Sequence, residues 1–373
     1  MLMNNYPQEK TLCFVTSSLQ GGGAQRVLVN IANRFARDGW KVHLICFVAQ
    51  NHPPIYSVDP AIRLHYLPRG YTIKDRILSK CVKMLQALVA EISPDILIPF
   101  LMPATAYAFA VARNLKIKII VSERNDPTRT PTDPYWRKQR DYIITHADGC
   151  VFQTQSAREY FGVDAPLKYA IIRNPVDLSG ARNDIVKACQ RTQRVICVGK
   201  YEPQKNLEFL LDVFAEFLET HPDYTLEVYG NDYHHRRLSL QQKAIALGID
   251  DKVYLNDARS DIFDVIYDAR MCVLPSKYEG MPNALIESVS LGVPSIASDC
   301  PAYGGRQVIT SGENGYLVPV DDKEAFLDKM RCIADQDELA DRFTEEGRKV
   351  SKKFDIDEVY ALWKQFVLDV LNA

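Results

Sequence analysis

Pro275-Ser276-Lys277-Tyr278-Glu279-Gly280-Met281-Pro282-Asn283-Ala284-Leu285-Ile286-Glu287-Ser288 lies between a short apolar run, residues 271–274, and a stretch whose apolar residues recur at helical spacing. Gly280 and Pro282 break the chain; a helix is predicted to begin at Pro282 or Asn283, reach Leu291 and stop at Gly292. A strand that runs through turn residues straight into a helix is the unit of a parallel, doubly wound sheet. In that unit Glu279 stands on the loop and Glu287 about one turn into the helix. The amides of Asn283, Ala284 and Leu285 lie between the two, where the first turn lacks intrahelical partners and favours a phosphate. The carboxylates could then reach groups on either side of it, such as the sugar and ribose hydroxyls of a nucleotide-sugar. An acidic first turn is also what the helix dipole favours with no ligand at all, so the rest of the chain has to decide.

The same unit recurs along the chain. Strands are predicted at residues 12–16, 42–47, 96–100, 118–121, 150–153 and 169–172, and again at 195–198, 225–229, 253–255, 271–274, 295–297 and 316–318. Two tandem α/β domains of the doubly wound, Rossmann-like kind follow from this pattern. The seam is placed in the polar stretch 177–194, after the Asn174-Pro175-Val176-Asp177 turn. From Glu338 onward no strand signal remains, and Tyr360, Trp363, Phe366, Val367 and Val370 form one apolar helical stripe.

A length of 373 residues suits two domains. The most apolar stretch, 96–112, is broken by Pro99 and Pro103 and falls short of the roughly 20 residues needed to span a bilayer. The start of the chain, 1–10, is polar, so neither secretion nor membrane spanning is expected. Nine scattered cysteines without a C-x-x-C pair read as buried thiols. Up to Leu178 the chain carries 22 Lys and Arg against 14 Asp and Glu, and the remainder 23 against 33. The basic first half therefore suggests an anionic partner.

Two further loops carry candidate chemistry. Gly21-Gly22-Gly23 between the first strand and its helix lets backbone amides approach an anion. Arg26 stands where a dinucleotide-binding fingerprint needs a small residue, which argues against an oxidoreductase; a plain tight turn is the simpler alternative. Lys200 and Lys205, on the loop Gly199 to Asn206, could neutralise a diphosphate leaving group, although exposed lysines alone need no function.

Taken in order, these segments resemble the retaining glycosyltransferases of family 4, which adopt the GT-B fold, and among them bacterial enzymes of polysaccharide or lipid-linked oligosaccharide assembly. The resemblance covers nearly the whole chain. It rests on Gly22-Gly23-Ala24-Gln25-Arg26-Val27, Ser122-Glu123-Arg124-Asn125, Phe152-Gln153-Thr154, Asn174-Pro175-Val176-Asp177, the Gly199 to Asn206 loop, Glu279 with Glu287, and Gly312-Glu313-Asn314-Gly315-Tyr316-Leu317-Val318.

The resemblance implies an acceptor domain at residues 1–180, a donor domain at 181–355, a cleft between them, and a last helix, 356–373, returning to the first domain. It assigns catalytic roles to Lys205, Lys200 and Glu279. Donor binding is expected from Gly22, Gly23, Asn283, Ala284, Leu285 and Glu287, and acceptor or cleft contacts from Glu123, Arg124 and Asn125. Lys200 replaces the commoner Arg, Arg124 stands where some relatives carry His, and Tyr229-Gly230-Asn231-Asp232-Tyr233 departs from the usual Gly-Asp-Gly-Pro.

The expected reaction moves a hexose or N-acetylhexosamine from a UDP-sugar to a glycan or polyprenyl-diphosphate-linked acceptor, with retention. No metal, no other cofactor and no nucleic acid are expected. A non-enzymatic nucleotide-sugar sensor and a GT-B epimerase are the alternatives; intact Lys205, Glu279 and Glu287 argue against the sensor. A cytoplasmic protein peripheral on the inner membrane face is expected. Arg63, Arg69, Lys74, Arg76, Lys80 and Lys83 face only Asp75 in sequence, and Ile77, Leu78, Val82, Leu85, Leu88 and Val89 share a helical face that could lie among headgroups.

Overall fold

The computed structural model describes residues 10–47, 54–67, 77–162, 168–182, 184–232 and 235–373. The chain divides into two compact units, Met1–Pro175 with Ile356–Ala373, and Val176–Asp355.

The first unit holds seven strands: β1 (Thr11–Thr16), β2 (Lys41–Cys46), β3 (Arg63–Tyr66), β4 (Ile96–Pro99), β5 (Lys118–Ser122), β6 (Gly149–Phe152) and β7 (Tyr169–Ile171). They form one parallel sheet in the order β3-β2-β1-β4-β5-β6-β7. All six residues of β1 are buried. Leu12 and Phe14 enter one core and Cys13 and Val15 the other, which is why a central parallel strand reads as an unbroken apolar run. β3 was not among the predicted strands: Arg63-Leu64-His65-Tyr66 is a half-exposed edge strand with no apolar run to mark it.

The helix Ile77–Ile92 places Leu85 and Val89 fully in the core, with Val82 and Leu88 packed against it, while Lys80 and Lys83 are exposed. Its apolar face is therefore used by the protein interior. Arg69, Ile73, Lys74, Asp75 and Arg76 lie outside the described residues. The helix Ile356–Leu371 completes this unit: Trp363, Phe366, Val367 and Val370 join Phe14, Phe35 and Phe100 in one core.

The second unit holds β8 (Thr192–Val198), β9 (Thr225–Tyr229), β10 (Val253–Asn256), β11 (Ala269–Leu274), β12 (Ser295–Ser298) and β13 (Tyr316–Val318), all parallel in the order β10-β9-β8-β11-β12-β13. Both units are thus the doubly wound, Rossmann-like sheets that the strand pattern predicts. The buried Arg191 guanidinium donates to the carbonyls of Tyr267, Ala269 and Gly292 and to Thr344 Oγ1. It thereby fastens the helix Asp337–Ser351 to the sheet. The first and last residues of this unit are joined: the Val176 N–H donates to the Phe354 carbonyl at 2.7 Å, and Val176 bridges Asp355 in parallel.

Strand order reverses around β8, whose neighbours β9 and β11 come from opposite directions of winding. Loops at the C-terminal ends of β8 and β11 therefore flank a crevice, the usual ligand position in open α/β sheets.

Candidate active site

The loops after β8 and β11 are bound to each other. The Lys277 N–H donates to the Gln204 carbonyl and the Gln204 side-chain amide to the Tyr278 carbonyl, both at 2.8 Å. This double tie brings Lys205 against Glu279, and the two form an ion pair. Ser276 Oγ donates to the same Glu279 oxygen at 2.7 Å. Burial works against the Lys205 ammonium, but the Glu279 carboxylate more than offsets it and pushes the lysine above its ordinary range. The loops at the ends of β8 and β11 thus hold Lys205 and Glu279 as one close ion pair.

The lysine stem lies over Gly199, where an added Cβ would stand 3.1 Å from Lys205 Cδ and Cε. Beneath it Gly230 presses on the Gly199 carbonyl so closely that a Cβ would come within 1.9 Å. Gly230 thus has a packing role in the loop that departs from Gly-Asp-Gly-Pro; Tyr233 of that loop lies outside the described residues. Lys200 is more open, and its Nζ stands 3.8 Å from Glu202.

The helix Asn283–Ser290 begins after Pro282, and its first intrahelical bond is donated by Ile286 to the Pro282 carbonyl. The amides of Asn283, Ala284 and Leu285 precede that bond, at the helix end where the dipole attracts anions. Glu287 is buried, 6% exposed.

In the first unit the glycine loop ends at the helix Gly23–Arg37, for which Gly22 is the N-cap. The Tyr56 hydroxyl receives the Gly22 N–H at 3.1 Å and donates to the Gly22 carbonyl at 3.3 Å. Nothing in the local sequence of Tyr56 marks it for that role.

Three motifs that are far apart in sequence meet beyond β5, β6 and β7. Arg124 Nη2 and Gln153 Nε2 both donate to Asn174 Oδ1, at 2.8 and 2.7 Å, and the Arg124 guanidinium carbon lies 4.9 Å from the centre of the Phe100 ring. Glu123 Oε1 accepts the N–H groups of Arg124 and Asn125, while its Oε2 stands 3.6 Å from Arg140. Burial pushes the Glu123 carboxyl up to about 7, with Arg140 and the two amides pulling the other way. Burial also lowers the Arg124 guanidinium to about 9. Glu123 and Arg124 thus use much of their bonding capacity to shape this loop.

Two acidic pairs that could be read as D-x-D metal ligands, Asp335 with Asp337 and Asp355 with Asp357, have other partners: Asp335 Oδ1 lies 3.0 Å from His221 Nε2, while Asp337 pairs with Arg270 and Asp357 with Arg34.

Residues 21–179 match the family described as Glycosyltransferase Family 4, and residues 192–336 match Glycosyl transferases group 1. An uncharacterized glycosyltransferase of Haemophilus influenzae is 26% identical over 94% of this chain and 98% of its own length. The Campylobacter jejuni GalNAc-alpha-(1->4)-GalNAc-alpha-(1->3)-diNAcBac-PP-undecaprenol alpha-1,4-N-acetyl-D-galactosaminyltransferase is 23% identical over 97% of this chain and 99% of its own. Among solved structures, sucrose-phosphate synthase of Thermosynechococcus elongatus superposes with a TM-score of 0.83 at 18% identity, covering 97% of this chain and 99% of that one. HepE of Anabaena, solved with UDP and glucose, gives 0.79 at 14%, covering 96% and 100%. With matches to glycosyltransferase models across both of its doubly wound units, the chain is a glycosyltransferase by its domains and has the GT-B fold.

Proposed function

We propose that this glycosyltransferase moves a hexose or N-acetylhexosamine from a UDP-sugar to a polyprenyl-diphosphate-linked glycan, with retention and without a metal ion. The observation that carries the reading is the Lys205 and Glu279 pair at the crevice beside the start of the helix Asn283–Ser290. A diphosphate at the helix start would take Lys205, and the sugar hydroxyls would take Glu279, so the donor would replace each partner's bond to the other. Glu287 would hold the ribose. Departure of the nucleoside diphosphate builds negative charge while the sugar becomes oxocarbenium-like. Lys205, Lys200 and the helix-start amides would absorb that charge, the task a divalent cation performs elsewhere. Attack would come from the face that the leaving group vacates.

The acceptor class is supported by the Campylobacter jejuni relative, whose name specifies an undecaprenol-linked substrate, and by the basic first half of the chain. We place the enzyme at the inner membrane face, held by charge. No described helix is long and apolar enough to cross a membrane.

The test is UDP and GDP release from a panel of nucleotide-sugars with a lipid-diphosphate glycan as acceptor, run with and without EDTA. Release of UDP that is slow with water and accelerated by that acceptor, undiminished by chelator, and an α-linked product from an α-linked donor are expected. A strict requirement for Mg²⁺ or Mn²⁺ would overturn the metal-free account, and an inverted product the retention.

A further inference from the structure

β12 lies beside β11 in the second sheet, so its C-terminal loop leaves next to the Glu279 loop. One contact fastens the loops together: Gly304 sits so close that a Cβ there would lie 1.7 Å from the Gly280 carbonyl oxygen. Just before it, Ala302 at φ 68° and Tyr303 at φ 53° are both left-handed. Residues bearing a Cβ rarely adopt that conformation, and it gathers at functional sites.

The outcome of this backbone is a tyrosine left 47% exposed, one residue before the Gly304–Gly280 contact. Its ring is held: the Arg306 guanidinium carbon lies 4.2 Å from the ring centre. Arg306 is itself fixed by Asp299 through two bonds of 2.8 and 2.6 Å. With the cation backing one face, a ligand can stack only on the other.

We propose that Tyr303 is a platform on which a pyranose ring stacks beside Glu279; this rests on reading the crevice as a nucleotide-sugar site. The loop is packed on Gly280, next to Glu279 in the chain, at the end of the site given to sugar hydroxyls, which favours a sugar over the nucleobase. The apolar C–H face of a pyranose suits an aromatic plane, and the ring belongs either to the donor sugar or to the acceptor.

The test compares wild type, Tyr303→Phe and Tyr303→Leu. UDP release is measured from UDP-hexoses and UDP-N-acetylhexosamines, first with water as acceptor and then with a polyprenyl-diphosphate-linked glycan. Tyr303→Phe should stay within about twofold of wild type, since it keeps the ring. Tyr303→Leu should raise KM about fivefold or more at little change in kcat or Tm. A rise with water as acceptor assigns the ring to the donor; a rise confined to the glycan assigns it to the acceptor. Unchanged KM in both arms, a fall in Tm alone, or Phe losing as much as Leu overturns the platform. Titration of UDP-sugar and glycan by calorimetry separates the two readings. Wild type that binds without turnover, with binding weakened by Leu and kept by Phe, removes the enzymatic reading and retains the platform. Absence of all binding overturns both.

Discussion

Lys205 and Glu279 neutralise each other in a buried setting, and that makes each hazardous to remove alone. Lys205→Ala and Glu279→Ala are each expected to cut kcat by about 10²–10³, as loss of a group aimed at developing charge does, and Glu287→Ala should also lower turnover. Each single change of the pair strands its partner's charge, so the double variant should melt closer to wild type than either single one. Differential scanning fluorimetry beside the UDP-release assay checks both, and wild-type turnover by folded Lys205→Ala removes the leaving-group role. Lys200→Arg should retain more activity than Lys200→Ala, because a guanidinium still offers charge to a phosphate. Glu123 carries a pH signature. Burial raises its carboxyl to about 7, so the folded state keeps the proton to higher pH than the unfolded chain. Stability owed to this group is full below its ordinary value of 4.5 and falls steadily as pH rises toward about 7. Urea midpoints of wild type should therefore drop between pH 5 and 7 more steeply than those of Glu123→Gln; equal slopes would remove the claim. The placement of Glu279 on the loop and Glu287 in the helix was legible from the strand-loop-helix unit. Ser276, Gln204 and Tyr56 were not, because a side chain recruited by tertiary contact leaves no periodicity or turn signal.

Central strands such as β1 and β11 were legible because a strand buried on both faces must be apolar throughout, and the edge strand β7 because Tyr169-Ala170-Ile171 is apolar although half exposed; β3, also an edge strand, carries Arg63 and His65 and was missed. The helix Ile77–Ile92 shows a different limit. An apolar stripe reports that a helix buries one face, and the partner that buries it, here the core around Leu85 and Val89, is decided elsewhere in the chain. The stripe of Ile356–Leu371 is spent in the same way against the sheet that opens the chain. Its contact with β6 is close: a Cβ on Gly149 would stand 2.8 Å from Val370 Cγ2 and 3.0 Å from Phe366 Cζ. Gly149→Ala is expected to destabilise the first unit by about 1–3 kcal/mol through overpacking, read as a lower urea midpoint. Trimming the opposing side chain with Val370→Ala should recover part of that loss, and no recovery would place the strain elsewhere.

For the molecule as a whole, the contrast between a basic first half and an acidic second half bears on the proposed membrane location. Co-sedimentation with anionic vesicles should fall with added salt and with Lys74, Lys80 and Lys83 changed to Glu, at about 1 kcal/mol for each charge near the surface. Absence of binding at every salt concentration would point to a soluble acceptor. Since Leu85 and Val89 are already buried, the salt dependence should be steep. The return of Ile356–Leu371 to the first unit also bears on the protein's birth. While Val176–Asp355 is being translated, the apolar surface around Phe14 and Phe100 waits without the helix that packs on it. At about 5–20 residues per second that interval is on the order of ten to forty seconds. A nascent chain in this state offers chaperones a specific binding surface, and a ribosome stalled within the second unit would leave the first one exposed and prone to aggregate.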